Sequence, residues 1–165
     1  MFSLELIRIR GAVQGDQDFL WWLHRETMRT YIDLAHDWND DAQREHFLYR
    51  FDPDSLNIVE FTQFPIGYVS IQRHEDHISL SGIEIAPEFQ NRGIGTYLIE
   101  NLLDASAHLG LPVRLAVFKV SPARRLYERL GFNYIGETTA YFLMNRSPIR
   151  RSFPRPDLLY LICRS

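Results

Sequence analysis

The chain reads as a layered α/β or α+β protein, a sheet with helices on either side, and three patterns carry that expectation. Short apolar runs rich in β-branched and aromatic residues fill the first half of the chain. A 3.6-residue repeat takes over after Gly93. Strand-like runs then return, interrupted by one more helix-like stretch.

Taken in order, residues 6–9 read as a first strand, and Gly11 to Gly15 as a turn before an amphipathic helix over 16–31. Asp40 or Asp41 can cap a second helix that reaches Tyr49 and is closed by Pro53. Residues 55–61, 66–73 and 77–85 are three β-rich runs, separated by Thr62-Gln63 with Pro65 and by His74-Glu75-Asp76. Breaks that short suit antiparallel neighbours. Ile94, Leu98, Leu102, Ala105 and Leu109 recur at helical spacing, and Gly110 with Pro112 stops the helix. Residues 112–120 return to strand. Ser121 can cap a further helix with Pro122 at its first position and Gly131 just past its last. Residues 132–138 and 141–145 close the fold as strands.

With 165 residues the chain suits one domain, expected over 1–146, followed by a basic, proline-containing extension over 147–165. There Arg150, Arg151, Arg155 and Arg164 outnumber Asp157, and a solvated or loosely docked tail is expected. The 45% hydrophobic and 24% charged content is that of a globular protein, with a mean hydropathy of -0.23. No run approaches the ~18 apolar residues of a membrane helix, and the first residues alternate instead of forming a signal-peptide core. A cytoplasmic protein without a membrane partner is the expectation. A net charge of -3 argues against nucleic acid. Cys163 stands alone and no Cys/His pair has zinc spacing, so no metal is expected; His74 and His77 flank a tight turn as exposed polar residues.

The segment from Ile83 to Gly95 runs from a strand into the start of the clearest helix. A helix's first turn leaves about four N–H groups unpaired and carries roughly half a positive charge, which suits a phosphate. Gly93 and Gly95 let such an anion approach the backbone. A P-loop would need Lys-Ser/Thr after the second glycine, where Thr96-Tyr97 stands, and a dinucleotide fingerprint would need glycine in place of Leu98. Gln-x-x-Gly-x-Gly at 90–95, preceded by Ile-Ala-Pro-Glu-Phe at 85–89, instead resembles the acetyl-CoA motif of the GNAT superfamily of N-acetyltransferases. A second signature agrees: Leu126-Tyr-Glu-Arg-Leu-Gly-Phe132, one helix and one strand downstream, is similar to that superfamily's Leu-Tyr-Glu-x-Leu-Gly-Phe helix.

The resemblance implies a mixed, mostly antiparallel sheet of about seven strands flanked by four helices, and acetyl-CoA as cofactor. It implies that the pantetheine arm pairs with the backbone of Ile83, Glu84 and Ile85, and that Gln90, Asn91, Arg92, Gly93, Ile94, Gly95 and Thr96 hold the pyrophosphate. The family often has Asn where Ser121 stands, so Ser121 either contacts the cofactor or serves only as a helix cap. An attacking amine must be neutral, yet a lysine-like amine is neutral in roughly one molecule in a few thousand at pH 7, so a base is required. Glu84, beside the expected thioester, is the candidate, with Glu26 a weaker substitute; the alternative for Glu84 is a strand-surface carboxylate. The resemblance assigns the proton for the departing thiolate to Tyr127, against the plain reading of a core aromatic.

Tyr31, Asp33, Asp37, Trp38, Asp40 and Asp41 cluster at the junction of the first two helices, where the resemblance implies the acceptor site, with Glu26, Tyr31 and Trp38 the candidate substrate residues; the plain reading is a solvated helix junction with a Trp anchor. The expected partner is an amine of a small molecule or peptide, and a homodimer is compatible with the sequence. The competing reading is a non-catalytic acyl-CoA sensor module.

Overall fold

The computed structural model describes residues 2–34 and 37–149. The expected extension over 147–165 therefore lies outside the described residues beyond Ile149, as does Cys163.

Among the described residues seven strands and four α-helices follow one another as β1 (Ile7–Gly11), α1 (Gln17–Asp33), α2 (Asp40–Arg50), β2 (Asn57–Phe61), β3 (Phe64–Arg73), β4 (Ile78–Ile85), α3 (Ile94–Leu109), β5 (Val113–Phe118), α4 (Ala123–Arg129), β6 (Asn133–Glu137) and β7 (Tyr141–Arg146). The strands form one mixed sheet in the order β1-β2-β3-β4-β5-β7-β6. Antiparallel ladders join β1 to β2, β2 to β3, β5 to β7 and β6 to β7. The expected mixed, mostly antiparallel sheet with four helices is the one observed. The parallel ladder of β4 with β5 pairs Ile78, Ser79 and Leu80 with Val113, Arg114 and Leu115.

Contacts gather the chain into two compact units. One contains the chain up to Ser70 together with Ile83–Arg92; the other contains Ile71–Gly82 and the chain from Gly93 onward. In the first, Leu20 and Leu23 of α1, Ile58 and Val59 of β2, and Ile66 of β3 are buried. In the second, Leu98, Leu102 and Ala105 of α3 are buried, as are alternate residues Val113, Leu115 and Val117 of β5. Those are the periods of about 3.6 and of 2 that the sequence displays.

Boundaries differ from the sequence reading where local chemistry intervenes. Asn39, not Asp40 or Asp41, caps α2, its side chain accepting from the Ala42 N–H at 2.9 Å. The two aspartates occupy the first turn, where their charge faces the positive end of the helix. Strand β3 begins two residues before the expected Ile66, because a register shift between Val59 and Glu60 admits Pro65 opposite Glu60 without costing a ladder bond. The expected strand over 112–120 ends at Phe118. The expected cap of α4 is displaced by one residue: Pro122 holds the cap position, and Ser121 before it accepts from the Ala123 N–H at 3.2 Å.

Asp16, almost fully buried, anchors the start of α1. Its carboxylate takes both Nη1 and Nη2 of Arg10, at 2.7 and 2.8 Å, and the Val13 N–H at 2.8 Å. Hydrogen bonding from Arg10, and secondarily from the Val13 amide, holds the Asp16 carboxyl below the usual carboxylate range against the opposing effect of burial. A depressed folded-state pKa contributes stability above the unfolded value and loses it as pH falls through the folded one. Asp16→Asn is therefore expected to cost about 1.5–3 kcal/mol near neutrality, the usual worth of a hydrogen bond to a charged group. Its unfolding free energy should also depend less on pH below about 4 than the wild type's; chemical denaturation across pH checks both.

Candidate functional site

In the first unit, Glu84 near the end of β4 is the focus of a hydrogen-bonded cluster. Its side chain is only 9% exposed, and both carboxylate oxygens are met. Oε1 receives Nδ1 of His24 at 3.3 Å and the Tyr68 hydroxyl at 3.2 Å, while Oε2 receives the Thr27 hydroxyl at 2.7 Å. Gly67 makes this crowding feasible: a Cβ there would overlap the Glu84 carbonyl oxygen and the Ile85 side chain. The reading of Glu84 as a solvated surface carboxylate therefore fails, because a buried charge persists only where donors replace water.

His24, Thr27 and Tyr68 escaped the sequence reading, as did the aromatic wall around His24. The ring centroids of Trp21 and Trp38 lie 6.4 Å from that of His24, and Phe47 stacks at 6.0 Å. Trp21, His24 and Thr27 stand three residues apart, one face of a helix, which is the signal that was present. Trp38 joins this wall, stacked on Trp21 at 6.3 Å, and its indole N–H bonds to Asp40. Its backbone N–H bonds to Asp33 at 2.9 Å. Glu26 does not join the Glu84 cluster; it is partly exposed and meets Arg25 at 3.5 Å. Tyr31 is half-buried on α1.

The turn from β4 into α3 has the geometry a phosphate cradle needs. The Gln90 side-chain amide donates to the Ile85 carbonyl at 2.8 Å and so tethers the loop to the end of β4. The backbone is left-handed at Asn91 (φ 58°) and Gly93 (φ 82°). The first helical bond runs from Tyr97 N–H to Gly93 carbonyl, so the amides of Ile94, Gly95 and Thr96 have no partner within the helix. Ile83 and Ile85 contribute backbone here, Ile85 with its side chain buried. Ile94 is 2% exposed, so its part is its amide; its side chain is core. The Arg92 guanidinium lies 5.5 Å from the ring centroids of both Phe2 and Phe89.

In the second unit, Tyr127 on α4 is buried with its ring edge-on to Phe132 at 5.7 Å. Burial pushes its phenol up to about 12. Its hydroxyl makes no hydrogen bond among the described residues. Among the described residues no cluster of His, Cys, Asp and Glu is arranged for a metal ion, and no helix is long and apolar enough to cross a membrane.

A model of the Acetyltransferase (GNAT) family matches residues 17–132. The chain belongs to that family. It is 32% identical over 89 residues to the [Ribosomal protein bS18]-alanine N-acetyltransferase of Haemophilus influenzae, covering 53% of this chain and 60% of that one. To the N-acetylaspartate synthetase of Danio rerio it is 26% identical over 140 residues, covering 81% of this chain and 49% of that one. The chain thus spans between half and three fifths of these relatives' lengths. Among solved structures, the PaiA N-acetyltransferase of Thermoplasma acidophilum in complex with coenzyme A superimposes with a TM-score of 0.71 at 16% identity, covering 86% of this chain and 98% of that one. The ribosomal-protein-S18-alanine N-acetyltransferase of Escherichia coli gives 0.59 at 20% identity, covering 88% and 96%. These likenesses establish the GNAT fold.

The two glycines of the family motif differ in what requires them. Gly93 adopts a left-handed φ, whereas a Cβ at Gly95 would meet only Leu126 Cδ2 at 3.5 Å, an ordinary contact. Gly93→Val should lower stability by about 1–2 kcal/mol, and Gly95→Ala should leave it unchanged or raise it by up to about 1 kcal/mol. Thermal unfolding of the two variants checks this difference of sign.

Proposed function

We propose that this protein is an acetyl-CoA-dependent N-acetyltransferase acting on a primary amine of a small molecule or peptide. The observation that carries the reading is the left-handed turn at Asn91 and Gly93, which delivers three unpaired helix amides into a loop whose glycines leave room for an anion. The cradle fits a pyrophosphate: the amides of Ile94, Gly95 and Thr96 supply donors, the helix end supplies partial positive charge, and Arg92 supplies a full one. Acetyl-CoA brings the activated acetyl thioester. The backbone of Ile83 and Ile85 would hold its pantetheine arm, and a strand N–H would polarise the thioester carbonyl, a contact worth about 10²–10³ in rate. Ser121 makes no cofactor contact in this account, its hydroxyl already used by Ala123.

The base belongs to the Glu84 cluster. An amine acceptor arrives mostly as ammonium, and a carboxylate bonded to an imidazole that Trp21, Trp38 and Phe47 surround suits a cation better than a neutral alcohol. The names of the relatives support the same acceptor class, since both describe acetylation of an amino acid or of an alanine on a protein.

Tyr127 would serve the leaving sulfur. At about 12 its hydroxyl keeps its proton throughout the physiological range. It is also a weaker acid than a thiol near 8.5 by some three units, so complete transfer to a free thiolate runs uphill. Its contribution is then a hydrogen bond to developing charge on sulfur, worth about 1.5–3 kcal/mol or 10–10² in rate. Tyr127→Phe should lower kcat by that factor with acetyl-CoA affinity unchanged, measured by thiol release and calorimetry. No descending limb from Tyr127 should enter the pH profile below about pH 11. A kcat within about threefold of wild type would remove Tyr127 from the mechanism.

The reading as a whole is tested by thermal shift with acetyl-CoA, coenzyme A, ATP and NAD, followed by an amine panel. Gly95→Ala should weaken acetyl-CoA binding at least tenfold while remaining fully folded, because only a ligand has need of the missing Cβ. A larger shift with ATP, or unchanged affinity in Gly95→Ala, would sink the cradle.

A further inference from the structure

We propose that the atom receiving the acceptor's proton is Nε2 of His24, with Glu84 behind it as the carboxylate that holds the imidazole in the competent tautomer. The inference rests on the acetyltransferase reading above and sharpens one atom of it.

Three donors already occupy the Glu84 oxygens, and the side chain is 9% exposed, so a proton arriving there must displace one of them. His24 is the more open partner at 26% exposed. Its Nδ1 faces a carboxylate oxygen, which only accepts, so the ring hydrogen sits on Nδ1 and Nε2 carries the lone pair. Nε2 makes no hydrogen bond among the described residues. Among side chains, an imidazole with a free ring nitrogen is the commonest general base.

The surroundings reinforce this assignment. Around the ring stand Trp21 from α1, Trp38 before α2 and Phe47 from α2, all uncharged. Glu84 from β4 is the charged group in contact with it, and Tyr68 from β3 is the other titratable group of the cluster, bound to the same Oε1. The single hydrogen of Thr27 lies within reach of the Leu23 carbonyl at 2.9 Å and of Glu84 Oε2 at 2.7 Å; it serves the charged acceptor. Thr27 thereby fastens Glu84 to α1, the helix that also carries His24, and keeps carboxylate and imidazole aligned.

The step balances without a further reactant. The N–H bond of the attacking nitrogen breaks and an Nε2–H bond forms, while that nitrogen bonds to the acetyl carbon and the C–S bond breaks. The sulfur leaves as thiolate and takes its proton from water, to which the imidazolium returns the first proton.

The test compares His24→Gln and Glu84→Gln in the full chain. His24→Gln should lower kcat by about 10²–10⁴ and erase an acid limb in the imidazole range, with acetyl-CoA affinity unchanged. Added imidazole should restore part of the activity of His24→Ala. Glu84→Gln removes the charge that favours imidazolium but keeps an oxygen for Nδ1, so its rate should fall while the limb survives, displaced to lower pH. Retention of turnover by His24→Gln within about threefold, with loss of the limb in Glu84→Gln, would make Glu84 the base by itself and overturn the proposal. A second readout needs no turnover: ¹⁵N NMR of the imidazole in the ligand-free protein should show hydrogen on Nδ1 at neutral pH. Loss of that preference is expected in Glu84→Ala, which leaves Nδ1 no acceptor there. Hydrogen on Nε2 in the wild type would overturn the proposal as well. If no amine on the panel releases thiol, the acetyltransferase reading fails by itself, and the tautomer still decides the dyad.

Discussion

A carboxylate taken out of water has to be met by donors, and the way Glu84 meets that demand organises the part of the molecule around it. Burying an unpaired charge costs several kcal/mol even after the protein relaxes, far more than any single surface interaction returns. The three donors to Glu84 come from α1 and from β3, so the helix and the strand are fixed with respect to β4 by chemistry as well as by apolar burial. Gly67 belongs to the same solution, since only a residue without a side chain lets β3 approach the Glu84 carbonyl. The substitution Gly67→Ala would therefore act on the Glu84 cluster indirectly, through strand spacing.

Much of this architecture was legible in the sequence because it is local. Buried positions on α3 repeat every three or four residues and those on β5 every second one, and the glycines at 110 and 131 sit in the left-handed conformation that ends a helix. The two family signatures were legible for the same reason: each is a contiguous run whose backbone does the work. Local ambiguity accounts for the small displacements. Asn39, Asp40 and Asp41 are all competent caps, and only the extended backbone at Asn39 decided among them.

The Glu84 cluster was legible only in part, because its members are far apart along the chain. Helical spacing places Trp21, His24 and Thr27 on one face, but nothing local says that the face meets a carboxylate some 60 positions later. Glu26 illustrates the converse case. A charged residue on the right helix looks eligible until the face is known, and this one points toward Arg25 and solvent. Tyr127 is intermediate: its motif singled it out, whereas its burial and its edge-on contact with Phe132 emerge only from packing.

The guanidinium of Arg92 carries a consequence for the thermodynamics of anion capture. A free arginine samples many rotamers, and arresting them on binding costs up to roughly 2 kcal/mol in entropy. Here the group lies 5.5 Å from the ring centroids of both Phe2 and Phe89 while the residue stays exposed, so part of that freedom is surrendered when the chain folds. The same two rings make the strength of the cradle depend on a residue near the start of the chain, distant in sequence from every glycine of the motif. Changes in the β1 flank could therefore retune ligand affinity while leaving each backbone donor in place.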